Sequence, residues 1–340
     1  MTSRQTPDRS AGLARPRPGS GRFQLFDLNP HAASMRDEVL EGLRRSPKEL
    51  SPKFFYDEAG SLLFERITEL PEYYLTRTEM ALFDEHLDDI AGAIGTGVCL
   101  VEYGAGSNQK IRKLLERAQP AAYVPVDISG DHLESQARAL HGDYPWLDVF
   151  PTCADFTAPF PLPEPVAGMP HVGFFPGSSI GNFEPAAAEA FLRNVHTTLG
   201  AGGRLLVGID RKKDPPVVEA AYNDSQGVTA AFNLNVLRHI NERLGADFDL
   251  AAFTHEARYD AGLGCIQMFL RSTRAQTVYI DGEAVQFAAG EAVHTENSFK
   301  YHPEEFAALA GRGDFAVESW WTDPAGRFAL FLLRAVPGRG

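Results

Sequence analysis

The residues best placed to do chemistry are an acid, two glycines and two further acids at fixed positions: Glu102 ahead of Gly104-Ala105-Gly106, then Asp127, then Asp155-Phe156. An apolar run over 98–101 delivers the chain into the Gly-x-Gly turn, and a helix-compatible segment, Asn108–Ala118, leaves it. Strand, glycine turn and helix make a nucleotide-binding corner, because glycine lets the backbone approach a ligand where a Cβ would clash. Asp127 closes the next apolar run 23 positions after Gly104, near the offset at which an acid accepts hydrogen bonds from ribose hydroxyls. Asp155-Phe156 closes another apolar stretch and suits an adenine, held by its amino group and its ring face. The same glycines could also form a plain strand-to-helix turn in some other α/β protein.

The kind of nucleotide decides the chemistry. A dinucleotide fingerprint needs a third small residue, and here Gln109 stands there, too bulky for close packing against a pyrophosphate. Glu102 would repel a phosphate. An acid at that place fits a cationic ligand without phosphate, and S-adenosylmethionine is such a ligand. A nicotinamide-dependent oxidoreductase is the rival that Gln109 opposes.

Composition sets the outer bounds. The 340 residues are 44% hydrophobic, ample for a core, and carry a net charge of −13, which opposes a nucleic-acid partner. Cys99, Cys153 and Cys265 are odd in number and lie in apolar runs, so they read as reduced core residues of a cytoplasmic protein and not as a metal site. His255-Glu256 lacks the second histidine of a zinc helix, since Tyr259 stands there; no metal is expected. No apolar stretch reaches membrane length.

The elements that must position these residues alternate. Residues 1–22, rich in Pro, Arg, Ser and Gly, read as a disordered tail. Helices are expected over 31–45, after Gly60, and from Thr76, where Thr76-x-x-Glu79 has the form of a capping box. Strands are expected over 98–102, 123–127, 147–153, 171–176 and Arg204–Asp210, with helices at Asn108–Ala118, 132–140 and Pro185–Leu199 between them. That order implies a parallel sheet with helices on both faces, an α/β Rossmann-like fold. The rhythm breaks after Asp210. Val228–Leu244 reads as a helix, followed by strand-like runs at 250–253, 265–270 and 277–280, a helix at 303–309, and closing strands at 315–321 and Phe328–Ala335. Closing a seven-stranded methyltransferase sheet with that pair makes 211–301 an insertion.

Ligands in open α/β sheets sit beyond the carboxyl ends of the strands, so the 177–182 loop is a candidate second site. Asn182 suits an amino acid's polar groups and equally suits a helix N-cap ahead of Pro185. Tyr73 and Tyr74 are adjacent aromatics of the kind usually found in a core with a wet edge. Glu296 and Ser298 share one face of an extended strand, either gripping a ligand ring or facing solvent.

With these segments aligned, the chain resembles the histidine-specific methyltransferases of ergothioneine biosynthesis, from about Ser51 to Ala335. The resemblance rests on the segments 55–64, 67–74, Ile180-Gly181-Asn182, Tyr222-Asn223-Asp224 with Phe232-Asn233, and 296–301. It implies a class I fold dependent on S-adenosylmethionine, with a second α+β domain from 23–77 and 211–301 joined to a methyltransferase domain of 78–210 and 302–340. It implies trimethylation of the α-amine of L-histidine to hercynine by a monomer acting on a small molecule. Gly104, Lys110, Asp127, Asp155 and Phe156 match cofactor contacts, joined by Glu102 and Gly106 of the same corner. Asn182 and Tyr222 match residues that hold the substrate's carboxylate and amine, Tyr56, Glu296 and Ser298 the imidazole group, Met268 an apolar wall, and Tyr73 a pocket tyrosine. Tyr56 and Tyr73 are the catalytic candidates. Departures from the family pattern are Tyr103 before the glycine turn, Leu75 where proline is usual, and a longer tail. Two other readings are a relative that methylates another amino acid such as tryptophan and a non-catalytic scaffold that binds S-adenosylmethionine and a partner protein.

Overall fold

The computed structural model describes residues 20–28, 34–106, 108–128 and 130–337. Most of the expected tail, residues 31–33 of the first expected helix, and Ser107 lie outside them. Strand β1 (Phe26–Asp27) opens the chain, followed by α1 (Met35–Arg44), β2 (Lys48–Glu49), α2 (Glu58–Glu69) and α3 (Tyr74–Ile94). Ser34 and Asp57 cap α1 and α2 by accepting from the amides of Asp37 and Gly60 at 3.2 and 2.7 Å. The alternating part runs β3 (Cys99–Tyr103), α4 (Asn108–Ala118), β4 (Ala122–Asp127), α5 (Gly130–Asp143), β5 (Asp148–Val149), β6 (Thr152–Cys153), β7 (His171–Phe175), α6 (Pro185–Leu199) and β8 (Arg204–Asp210). Then come α7 (Pro215–Tyr222), α8 (Val228–Leu244), β9 (Phe253–Asp260), β10 (Cys265–Ser272), β11 (Gln276–Ile280), β12 (Glu283–Phe287) and β13 (Ala292–Phe299). Helix α9 (Pro303–Arg312) and strands β14 (Phe315–Thr322) and β15 (Phe328–Ala335) finish the chain.

The central sheet has the order β1-β6-β4-β3-β7-β8-β15-β14, with β5 beside β4, and β15 alone runs against its neighbours. This is the Rossmann-like arrangement expected, with two additions. Phe150-Pro151 splits the third strand into β5 and β6, since proline cannot donate to a ladder. Residues 23–28, expected with the second domain, instead lie along the sheet edge: β1 pairs in parallel with β6, and Phe26 packs on Phe150 at 6.3 Å. Gly21 and Arg22, expected in the tail, are held there too, Arg22 by Asp148 at 2.8 Å. An open sheet edge offers unpaired backbone groups, and this segment satisfies them.

Alternation along β3 sends Cys99, Val101 and Tyr103 into one apolar cluster and Leu100 into the other, so both faces are covered. A third cluster lies between α1, α2, α8 and a second sheet of order β2-β13-β10-β9, with β11 and β12 forming a hairpin. Three local expectations change. Helix α7 begins at Pro215-Pro216, where proline at the first helical positions costs no hydrogen bond. Residues 250–252 form a short 3₁₀ turn before β9. Helix α3 starts at Tyr74, and Glu79 does not close a capping box; it is 1% exposed and turned into the protein.

Candidate active site

Strand β13 is the site's main scaffold. Its alternation puts Glu296 and Ser298 on one face, and its pairing with β10 sets Met268 opposite Glu296, beside a register shift between Met268 and Phe269. The cavity in front of them is lined by all seven expected substrate residues: Tyr56, Tyr73, Asn182, Tyr222, Met268, Glu296 and Ser298. Phe64 and Phe232 add apolar wall, and Gly177-Ser178-Ser179 supply the floor from the carboxyl end of β7. Asn182 ends a 3₁₀ turn over Ser179–Asn182, while the N-cap position of α6 belongs to Glu184, so Asn182 is not the cap. That turn lies directly on β13: a Cβ on Gly181 would meet the Phe299 carbonyl oxygen at 2.6 Å.

Glu296 is 8% exposed, and among the described residues nothing hydrogen-bonds its carboxylate. Burial pushes its pKa up to about 7, against the opposing pull of Lys300. Tyr56 stands at the cavity mouth, 44% exposed, edge-on to Phe64 and Phe232 at 5.8 and 5.7 Å. Tyr73 is buried with its ring 6.2 Å from that of Tyr222. The phenols of Tyr73 and Tyr222 are raised above their ordinary range by burial first and by neighbouring acids and phenols second, so they stay protonated at neutral pH.

Behind the cavity lies a charged network that the sequence reading missed. Lys300 and Asp210 pair at 2.9 Å with both side chains fully buried. Tyr74 donates to Asp210 at 2.7 Å and Lys213 binds its other oxygen at 2.5 Å. Lys300 in turn donates to Tyr222 and Ser298 at 3.0 and 2.8 Å. The signal was present: Lys300 continues the alternation of Glu296 and Ser298, and Asp210 ends an apolar strand at its carboxyl edge. His255 is a support and not a ligand, bonding the Tyr222 carbonyl and the Asn233 amide at 2.9 Å each.

The expected cofactor residues gather at the adjoining strand ends. Gly104 has φ +73, and its amide and that of Ala105 both donate to the Val126 carbonyl at 2.9 and 3.1 Å, which makes the turn tight. Phe156 approaches within 3.8 Å of where a Gly104 Cβ would sit, while the space around Gly106 is open. Asp127 ends β4. Asp155 accepts from Thr157 N and Oγ1 at 2.9 and 2.6 Å, which fixes its loop. Glu102 is buried, accepts from the Tyr123 hydroxyl and is pushed up to about 8 by burial. Lys110 pairs with the buried Glu79, whose Oε1 also accepts from the Gly177 amide at 2.9 Å. One carboxylate therefore ties the glycine corner's helix to the cavity floor. Lys110 is thus already paired inside the protein, and Glu102, largely protonated at neutral pH, brings little charge to the corner.

A protein family described as histidine-specific, SAM-dependent methyltransferases matches residues 35–335. A histidine N-alpha-methyltransferase of Mycolicibacterium smegmatis is 42% identical, over 88% of this chain and 95% of that one. One from Mycobacterium tuberculosis is 39% identical, over 88% and 94%. The ergothioneine biosynthesis protein 1 of Neurospora crassa is 32% identical over 84% of this chain but only 33% of its own length.

Proposed function

The chain belongs to the S-adenosylmethionine-dependent, histidine-specific methyltransferases, and we propose that its cavity holds L-histidine for trimethylation of the α-amine to hercynine, the opening reaction of ergothioneine synthesis. The observation that carries the substrate assignment is Glu296: a buried carboxylate that nothing among the described residues hydrogen-bonds, beside Met268 and Ser298 in a cavity whose walls include Tyr56, Phe64, Tyr73 and Phe232. A buried acceptor left unpaired is costly, so the site favours a ring that brings an N–H to it and rejects one that does not. Asn182 would hold the carboxylate end of the amino acid through its amide, and Tyr222, whose proton goes to Ser298, would serve the amine as an acceptor.

When bound, S-adenosylmethionine supplies one sulfonium methyl per turnover to the α-nitrogen. Gly104 and Gly106 would let the backbone approach it, Asp127 would take the ribose hydroxyls, Asp155 and Phe156 the adenine, and Glu102 and Lys110 would border its amino-acid tail. Holding the amine in line with the methyl is the chain's main contribution, worth roughly 7–11 kcal/mol for well-oriented partners. The phenols of Tyr56 and Tyr73 remain neutral, so they do not act as phenolate bases. They pass the amine's proton towards water as hydrogen-bonded relays. Their rings steady the growing ammonium by about 0.5–2 kcal/mol.

In this reading residues 34–77 and 211–301 carry histidine, and 78–210 with 302–337 carry the methyl donor. Three buried free thiols fit a reducing, cytoplasmic setting, and no helix among the described residues is long and apolar enough to cross a membrane. No role is assigned to a metal. Glu296→Ala is expected to raise the histidine KM by orders of magnitude with cofactor affinity nearly intact; unchanged histidine kinetics would remove Glu296 from this role.

A further inference from the structure

Lys300 is fully buried, and its three protons are all spent inside the protein: on Asp210 Oδ2 at 2.9 Å, on the Tyr222 hydroxyl oxygen at 3.0 Å and on Ser298 Oγ at 2.8 Å. Asp210 is itself held by Tyr74 and Lys213 at 2.7 and 2.5 Å, so the ammonium has a fixed place. An ammonium carries donors only, and neither hydroxyl can return a proton to it. The two hydroxyls are 3.0 Å apart, and one proton lies between them. A phenol is a stronger acid than an aliphatic alcohol, so Tyr222 donates and Ser298 accepts. Both acceptor positions of Ser298 Oγ are then filled, and its own proton is left to point into the cavity that Ser298 lines. A serine by itself can donate or accept. This one is set to donate.

We infer that Lys300, fixed by Asp210, is a positioning residue that makes Ser298 an obligate donor. Ser298 and Glu296 then present one donor and one acceptor to the substrate ring, selecting a neutral azole with one N–H and one bare nitrogen. The inference rests on the histidine reading above and adds the residue that sets its polarity. The family resemblance supplied Glu296 and Ser298; Lys300 comes from the hydrogen-bond directions alone.

The test is calorimetric binding in the presence of adenosylhomocysteine, comparing L-histidine with the two pyrrolylalanine isomers, which keep a ring N–H but carry carbon in place of the bare nitrogen. The wild-type protein should prefer histidine over the better isomer by about 10-fold or more. Ser298→Ala and Lys300→Met should each shrink that preference to within about 3-fold while adenosylhomocysteine affinity holds, and the double variant should match either single one, because Lys300 acts through Ser298. Wild-type protein that binds a pyrrole as tightly as histidine overturns the inference, and this arm needs no variant to fold. Lys300→Met that binds adenosylhomocysteine normally and keeps full discrimination also overturns it, as does additive loss in the double variant. Failure of histidine itself to bind would overturn the histidine reading as well, which separates the two claims.

Discussion

Glu296 is the residue on which binding and stability pull in opposite directions. Its folded-state pKa of about 7 lies above the ordinary carboxyl value of 4.5, so the folded protein holds that proton more tightly than the unfolded chain does. The burden on stability is absent below about pH 4.5, grows as pH rises from there towards 7, and levels off above that at on the order of 3 kcal/mol. Glu296→Gln should therefore raise the melting temperature of the ligand-free protein at about pH 8.5 far more than at about pH 5, while losing histidine affinity. Scanning calorimetry at the two pH values checks this, and an equal shift at both would contradict the burial argument. His255 gives the opposite trend: burial lowers its pKa, so its contribution is intact above about 6.5 and falls away as pH drops below that. At this scale the sequence was informative where chemistry and alternation coincide. Glu296 and Ser298 could be placed on one strand face, but whether they met a ligand or solvent could not, because a strand's exposure depends on what covers it. Asp210 and Lys300 sit 90 positions apart, and nothing local joins them.

Among the elements, α3 does the most unexpected work. Glu79 carries the form of a capping box, yet it lies on the same stripe as Leu75, Leu82 and Phe83, all buried. A charge on an apolar stripe signals a buried pair, and that signal outweighed the local motif. Its carboxylate joins Lys110 on α4 to the Gly177 amide on the cavity floor. Glu79→Ala should cost about 3 kcal/mol, the lower end for breaking a buried pair, since Lys110 can reach some water. It should weaken both methyl donor and histidine, whereas Glu296 variants weaken histidine alone; steady-state kinetics with each substrate varied in turn distinguishes these. The turn at Ser179–Asn182 is equally constrained. Gly181→Ala must push the turn off β13, given the 2.6 Å approach to the Phe299 carbonyl oxygen, and should cut kcat/KM for histidine at least about 10-fold with cofactor affinity retained. Full activity would show that Asn182 needs no such precision. Helices α4, α6 and α8 and strands β8 and β15 have the bounds their periodicity gives. Helix α7 and strand β12 escaped notice because paired prolines and polar residues mask short elements.

At the scale of the molecule, two apolar clusters build the central sheet and a third builds the region around α8 and β13, with the cavity where they meet. The Asp210–Lys300 pair crosses that boundary while fully buried, so both regions should unfold together. A single calorimetric transition is expected, raised by about 2.7 kcal/mol at adenosylhomocysteine one hundred times above its Kd; two transitions, of which the ligand moves one, would contradict it. Strand alternation revealed the parallel sheet, but residues 23–28 joined its edge through backbone pairing that side-chain patterns do not encode. The central claim is that this cavity delivers the α-amine of histidine to a sulfonium methyl. The most direct measurement is mass spectrometry of the purified protein incubated with S-adenosylmethionine and all twenty amino acids together. The account predicts that histidine alone gains methyl groups and that it ends with three on the α-nitrogen. Unmodified histidine beside a methylated tryptophan, or methylation on the imidazole ring, would contradict it.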